Sequence, residues 1–239
     1  MYRKNKMPSK RYKQAFEARS GGEAVSLMDA IGALGKFPHA KFDESVDLAM
    51  RLGVDPKHSD QMVRGTVALP NGSGKTVRVA AFAPEGPAAD AAKEAGADHV
   101  GLKELIEKVE GGWTDFDVAV ATPEAMKSGV AKLGRQLGPR GLMPTPKAGT
   151  VSDDLGKVIG EVKAGRVEFK VDKSANLQMP IGKISFDSEK LFENAKAAII
   201  AVLKAKPGSV KGTYLGSASV SATMGPSVKL DVKEISKLG

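Results

Sequence analysis

Along the chain, the spacing of apolar and polar positions changes rhythm twice. From Lys41 the stretch KFDESVDLAMRLG alternates, with Phe42, Glu44, Val46, Leu48 and Met50 on one side and Lys41, Asp43, Ser45, Asp47 and Arg51 on the other. That period of two predicts a strand with one buried face, and the charged Glu44 spoils its apolar side near the start. Upstream, Lys10 to Ala18 and Glu23 to Leu34 have helical character, with Gly21-Gly22 between them. A turn through Asp55 and Pro56 leads to a second strand, MVRGTVALP, and Asn71-Gly72-Ser73-Gly74 then breaks the chain.

From Val77 short apolar strands alternate with helices: VRVAAFA, PAADAAKEAG, ADHV, LKELIEKVEGG, DFDVAVA and PEAMKSGVAKLGRQLG. Near-continuous apolar strands joined by helices predict a small parallel sheet covered on both faces, a Rossmann-like arrangement. DDLGKVIGEVKAG adds one more amphipathic helix. The antiparallel rhythm then returns in RVEFKV and LQMPIGKISF, a helix from Ser188 to Lys206 striped by Leu191, Ala195, Ile199 and Val202, and the strands TYLGSASVSATM and SVKLDV.

Charge follows the same division. The 239 residues hold 36 Lys+Arg against 28 Asp+Glu, a formal +8. Residues 70–164 contain 12 basic and 13 acidic side chains, whereas residues 1–69 contain 12 against 8 and residues 165–239 contain 12 against 7. A uniformly basic protein would not split this way. The expected fold is therefore α/β and α+β: a split α+β domain from residues 1–69 and 165–239, with residues 70–164 inserted as a Rossmann-like parallel-sheet domain. The cationic ends point to a polyanionic partner.

Several chemistries are disfavoured. Without cysteine there is no disulfide, thiolate nucleophile or Cys-bound zinc, and His39, His58 and His99 lack ligand spacing, so neither metal nor cofactor is expected. No apolar run approaches the roughly 20 residues of a membrane span, and the N-terminus has no apolar signal region, which predicts a cytoplasmic protein off the membrane. The segment NGSGKT resembles the end of a Walker A loop, but its first glycine position is Leu69 and a strand follows it rather than a helix. The parallel sheet lacks G-x-G-x-x-G, and no G-x-S-x-G is present. The chain is not expected to be an enzyme; the alternative is a basic nucleotide-using enzyme with a Rossmann-like domain.

Two segments carry candidate binding chemistry. LGRQLGPRGLMPTPKAGTV combines Gly134, Gly138, Gly141 and Gly149 with Pro139, Pro144 and Pro146, and carries Arg135, Arg140 and Lys147. Prolines stiffen such a loop, glycines permit close approach, and cations suit phosphates, though a structural crossover explains the segment equally well. In TMGPSVKLD a hydroxyl, a thioether and a bare backbone position meet at a strand junction, beside Ser217 and Ser219 on a small, polar strand face. Such a face suits sugar hydroxyls and flat bases; a plain hairpin turn is the simpler reading.

These segments, with FDESVDLAMRLGVDPKHSDQMVRGTVALPNGSGK and VEFKVDKSANLQMPIGKISF, resemble the bacterial large-subunit ribosomal protein L one family, the stalk protein family, over roughly Lys10 to Asp231. The resemblance implies a split RNA-binding domain with a Rossmann-like insertion. It implies a structural constituent of the large ribosomal subunit, cytoplasmic and ribosome-bound, monomeric when free. The implied partners are stalk ribosomal RNA, exit-site tRNA whose release the protein assists, and its own operon messenger, whose translation it represses. Carried over by position, the RNA-binding residues are Lys41, Phe42, Glu44, Ser45, Lys173, Ser217, Thr223, Met224 and Gly225, with Ser45 standing where some relatives have threonine. In this reading Phe42 and the Thr-Met-Gly turn supply shape, Glu44 accepts a hydrogen bond from the RNA, and the Thr223 hydroxyl bonds it directly, so that Thr223→Val tests that contact alone.

Overall fold

The computed structural model describes residues 9–19 and 22–238, apart from the side chains of Ser59 and Lys147. Gly21, expected to separate the first two helices, lies outside the described residues. The chain begins with α1 (Lys10–Glu17), α2 (Leu27–Lys36), β1 (Ser45–Leu52) and β2 (Arg64–Ala68). Next come β3 (Val79–Phe82), α3 (Pro87–Glu94), β4 (His99–Gly101), α4 (Lys103–Glu110), β5 (Val118–Ala121), α5 (Pro123–Ser128), α6 (Gly134–Leu137) and α7 (Leu155–Lys163). Then follow β6 (Arg166–Lys170), β7 (Asn176–Lys183), α8 (Ser188–Lys204), β8 (Leu215–Ala222), β9 (Val228–Leu230) and α9 (Val232–Ile235). Backbone proximity divides the chain into two units, Met1–Gly74 with Val167–Gly239, and Lys75–Arg166.

The first unit is built on an antiparallel sheet ordered β7-β1-β8-β9. Because side chains alternate along a strand, β1 sends Val46, Leu48, Met50 and Leu52 into the core, where they join Leu177, Met179 and Ile181 of β7 and Val220 of β8. Ile31 and Leu34 of α2 and Leu191, Ala195 and Ile199 of α8 close that core. α1 and α2 start from side-chain caps: the Ser9 hydroxyl accepts from Tyr12 N and the Ser26 hydroxyl from Asp29 N. On the opposite face of the sheet, Ser45, Asp47, Ala49 and Arg51 run beside Pro180, Gln178 and Asn176 of β7 and Ser221, Ser219 and Ser217 of β8, and none of these is buried.

Asn194 is a polar side chain that sits fully inside this unit. Asn194 of α8 accepts from Asn71 N at 3.0 Å and donates to Gly72 O at 2.9 Å and Ile181 O at 2.8 Å. Its amide thus ties the segment after β2 to both α8 and β7, with every donor and acceptor matched.

The second unit holds the parallel sheet β4-β3-β5. Ala80, Phe82, Ala119 and Ala121 face Leu105 and Val109 of α4 and Ala125 of α5, while Val79, Ala81 and Val120 face Ala89 and Ala92 of α3 and Leu155 and Ile159 of α7. Burial on both faces is why these strands are apolar throughout. PEAMKSGVAKLGRQLG is not one helix. It breaks at Gly129, whose φ of 148° strains any side chain, passes through a 3-10 turn at Val130–Leu133 and resumes in α6.

The strand β3, not a helix, follows NGSGKT, and Lys75 Nζ bonds Asp117 Oδ1 at 2.7 Å. A P-loop needs helix amides facing the phosphates, and this segment does not supply them. Among the described residues no helix is long and apolar enough to cross a membrane, and no group of three or more His, Cys, Asp or Glu could hold a metal ion.

Candidate nucleic-acid interface

The strand expected from Lys41 begins only at Ser45. Lys41 and Phe42 lie in a bend, and Phe42 is 54% exposed instead of sharing the buried side. The bend is held by Asp43, whose carboxylate accepts from the backbone N–H and hydroxyl of Ser185 at 3.2 and 2.9 Å. Met224, after β8, is 52% exposed. Two large apolar side chains in water on neighbouring segments are what a folded core avoids and a binding surface uses.

Glu44 continues the buried series of Val46, Leu48 and Met50, so it does not spoil the alternation as the pattern suggested; it is fully buried. Its carboxylate accepts from Ala40 N at 2.5 Å, Met224 N at 2.9 Å and Arg11 Nη1 at 3.4 Å, and His39 Nδ1 lies 3.9 Å away. Burial alone would raise its pKa, but the two backbone N–H groups, then Arg11 and His39, outweigh it and hold the carboxyl below the ordinary glutamate range. The carry-over placed Glu44 against RNA. In the folded chain its oxygens are instead turned inward, where they fix Met224 relative to Ala40.

Thr223 is engaged internally as well. Its hydroxyl accepts from Ser45 N at 3.0 Å and donates to Ser45 O at 3.2 Å, and its own N–H donates to Ser45 O at 3.0 Å. Thr223→Val would therefore remove both hydroxyl bonds to Ser45 at the junction of β1 and β8 while leaving the backbone pairing, so it does not isolate an RNA contact. The Ser45 hydroxyl accepts from Lys183 Nζ at 3.0 Å. Gly225 closes the turn by donating to Ala222 O at 3.0 Å, yet it is not among the positive-φ glycines, and the nearest atoms an added Cβ would meet belong to Ala222, at an ordinary 3.5 Å or more. Among the described residues nothing requires glycine there. Gly225→Ala should leave the melting temperature within about a degree of wild type, a surface-sized change. Any RNA backbone packed against that position would lose close approach, so affinity should fall about five- to tenfold in a titration.

Lys173 and Ser217 lie at the other end of β1. Ser217 stands across from Arg51, which pairs on its other side with Asn176. Asp172 beside Lys173 accepts from Asn176 N and Ser174 N, at 2.8 and 2.7 Å, and these bonds hold its carboxyl below the ordinary range. The six residue steps from Ser45 to Arg51 span about 20 Å of strand. The candidates thus form two groups joined by the small-residue face of Ala49, Ser219 and Ser221. Lys41 and Lys173 are exposed and make no ion pair among the described residues. Asp47 lies midway on this face, its carboxyl pushed up by burial against the opposing pull of Lys183.

In the second unit Arg135 and Arg140 are exposed, and Arg140 Nη1 donates to the Thr114 hydroxyl. The side chain of Lys147 lies outside the described residues. Sequence reasoning missed Lys183 and Arg11. Lys183 becomes visible only through the register that sets it opposite Ser45, and Arg11 only through folding of the chain start onto a turn 213 residues away.

A family model described as ribosomal protein L1p/L10e family matches residues 34–226. The chain is 52% identical to a protein named large ribosomal subunit protein uL1 from Protochlamydia amoebophila, over 95% of each chain. Proteins of the same name from Corynebacterium glutamicum and Cutibacterium acnes are 51% and 54% identical, over 93% of this chain and 94% and 95% of theirs.

Proposed function

The chain belongs to the ribosomal protein L1p/L10e family, and from that premise we propose that the polar face of its four-stranded sheet binds a structured stalk segment of large-subunit ribosomal RNA. As a member of that family it is a structural RNA-binding protein of the large ribosomal subunit, ribosome-bound in the cytoplasm, and in our reading its role is structural rather than catalytic. The observation that carries the proposal is the gathering at one sheet end of exposed Phe42 and Met224, a glycine at 225 with no positive φ, and an exposed Lys41 that makes no ion pair among the described residues. Lys41, Phe42, Ser45, Thr223, Met224 and Gly225 form the main contact, and Lys173 and Ser217 extend it along β1. Glu44 organises the contact from behind. Small side chains between the two groups let a sugar-phosphate backbone lie close to the strands, and lysines supply sequence-independent attraction.

The finer functions belong to the same proposal. A structured segment of the protein's own operon messenger that resembles the ribosomal site would compete for this one face, which is how repression would follow. Contact with deacylated tRNA at the exit site, assisting its release, would draw on the exposed Arg135 and Arg140 of the second unit, with Lys147 in the same loop. A competition titration between the ribosomal fragment and the messenger segment tests the shared face.

The decisive experiment removes residues 75–166 and joins the ends with a short Gly/Ser linker. The remaining unit has its own core, from Ala15 to Ile235. It should bind the stalk fragment with a log affinity that falls linearly with log salt, by about 0.7 to 0.9 per phosphate neutralised. A folded but non-binding product would move the main site to the other unit, and a salt-independent affinity would remove the electrostatic part of the reading.

A further inference from the structure

The N-terminal helix α1 is fastened to the proposed RNA site by arginine. Arg11 Nη1 donates to Pro38 O at 3.2 Å and to Glu44 Oε1 at 3.4 Å, and Nη2 donates to Met224 O at 3.2 Å. These acceptors come from segments 27, 33 and 213 residues away. Two residues past the other end of the helix, Arg19 Nη1 donates to Ser227 O at 3.3 Å while its guanidinium covers the Phe16 ring at 4.5 Å. Arg11 within α1 and Arg19 just past its end therefore hold the backbone of the β8–β9 connection, on either side of Gly225. A guanidinium suits this task because its planar fork offers several fixed donors, whereas an ammonium is a single point charge.

The Glu44 carboxylate meets Met224 from its N–H side, and Arg11 meets it from its carbonyl side. The peptide groups flanking the exposed Met224 side chain are thus held at both ends by partners that also hold each other. Three donor contacts of this guanidinium are thus taken by acceptors within the fold.

We propose that Arg11 is a positioning residue for RNA recognition: it straps α1 across the Thr-Met-Gly turn and presents Met224 and Gly225 in a fixed geometry without itself touching RNA. The inference rests on the RNA reading of the sheet face, and its test separates the two. Arg11→Met, Arg11→Lys and Lys41→Met are made in the full chain and titrated with the stalk ribosomal RNA fragment and with an unrelated hairpin of equal length, at several salt concentrations. Melting is followed by circular dichroism. Both Arg11 variants should bind the stalk fragment about tenfold more weakly, as for loss of a charge-assisted hydrogen bond, with an unchanged salt slope and unchanged affinity for the unrelated hairpin. Lys41→Met, which removes a proposed phosphate contact, should lower the slope by about 0.7 to 0.9.

A comparable drop in slope for Arg11→Met, or wild-type affinity in Arg11→Lys, would make Arg11 a phosphate contact and overturn the proposal. Equal loss on both RNAs would reduce its role to general stability and overturn it too. If Arg11→Met does not fold, Arg11→Lys decides alone. A wild-type chain that does not prefer the stalk fragment would defeat the RNA reading of the face, whereas preference with unaffected Arg11 variants would defeat only the strap.

Discussion

Glu44→Ala should destabilise the unit built from the two chain ends by about 3 to 5 kcal/mol, the usual effect of removing one partner from a buried, hydrogen-bonded charge cluster. Ala40 N and Met224 N would lose their acceptor, and Arg11 would keep only carbonyl partners. The two units can be followed separately, because the single tryptophan, Trp113, lies in the Lys75–Arg166 unit. The urea transition seen by circular dichroism should therefore shift in part while the tryptophan fluorescence transition stays in place. A common shift of both signals would contradict this account.

The same carboxylate sets a pH dependence. Its folded pKa is depressed, so its contribution is complete above the ordinary unfolded glutamate value of about 4.3 and is lost as pH falls through the lower folded value. Glu44→Gln should flatten stability against pH in that acid window, and wild type should lose stability there. RNA affinity should drop in Glu44→Ala at neutral pH even under conditions where the variant is fully folded, because the Met224 amide is no longer fixed.

Asn194→Leu carries the second large effect. It keeps a side chain of similar size but strands Asn71 N, Gly72 O and Ile181 O, at a cost of about 2 to 5 kcal/mol for partly buried groups left without partners. Asn194→Asp should be worse than Asn194→Leu, since it keeps the acceptor for Asn71 N but faces the two carbonyls with a buried negative charge. The reverse order in urea denaturation would show that the polar network is not what holds this segment. Amide exchange at Asn71 should accelerate in both variants.

Pattern and charge made much of this architecture readable. The change from alternating to continuous apolar strands at Val77 reports burial on one face or both, a direct consequence of how many layers cover a sheet. The site was less readable because its members are joined by topology. Glu44 looked like a flaw in β1 because a buried carboxylate is invisible until its donors, Ala40, Arg11 and Met224, are placed around it. Phe42 looked like a core residue because periodicity does not register where a strand begins. The Thr223 hydroxyl looked free for a ligand because nothing local discloses that Ser45 takes both of its functions. Asn194 sits in an ordinary helical stripe, and only the return of residues 71 and 72 gives it work.

The order of the strands also bears on how the protein is made. β1 is completed before any partner exists: Lys183 and Thr223, which pair with Ser45, follow it by 138 and 178 residues. The Lys75–Arg166 unit, by contrast, closes its parallel sheet from consecutive strands and can condense as soon as its own residues have left the synthesising ribosome. Its sister must keep Val46, Leu48 and Met50 waiting through that whole interval and pay a long loop closure at the end. Refolding from denaturant should accordingly be biphasic, a fast recovery of tryptophan signal followed by a slower recovery of strand signal, and nascent chains stopped before β8 should be the ones that chaperones capture.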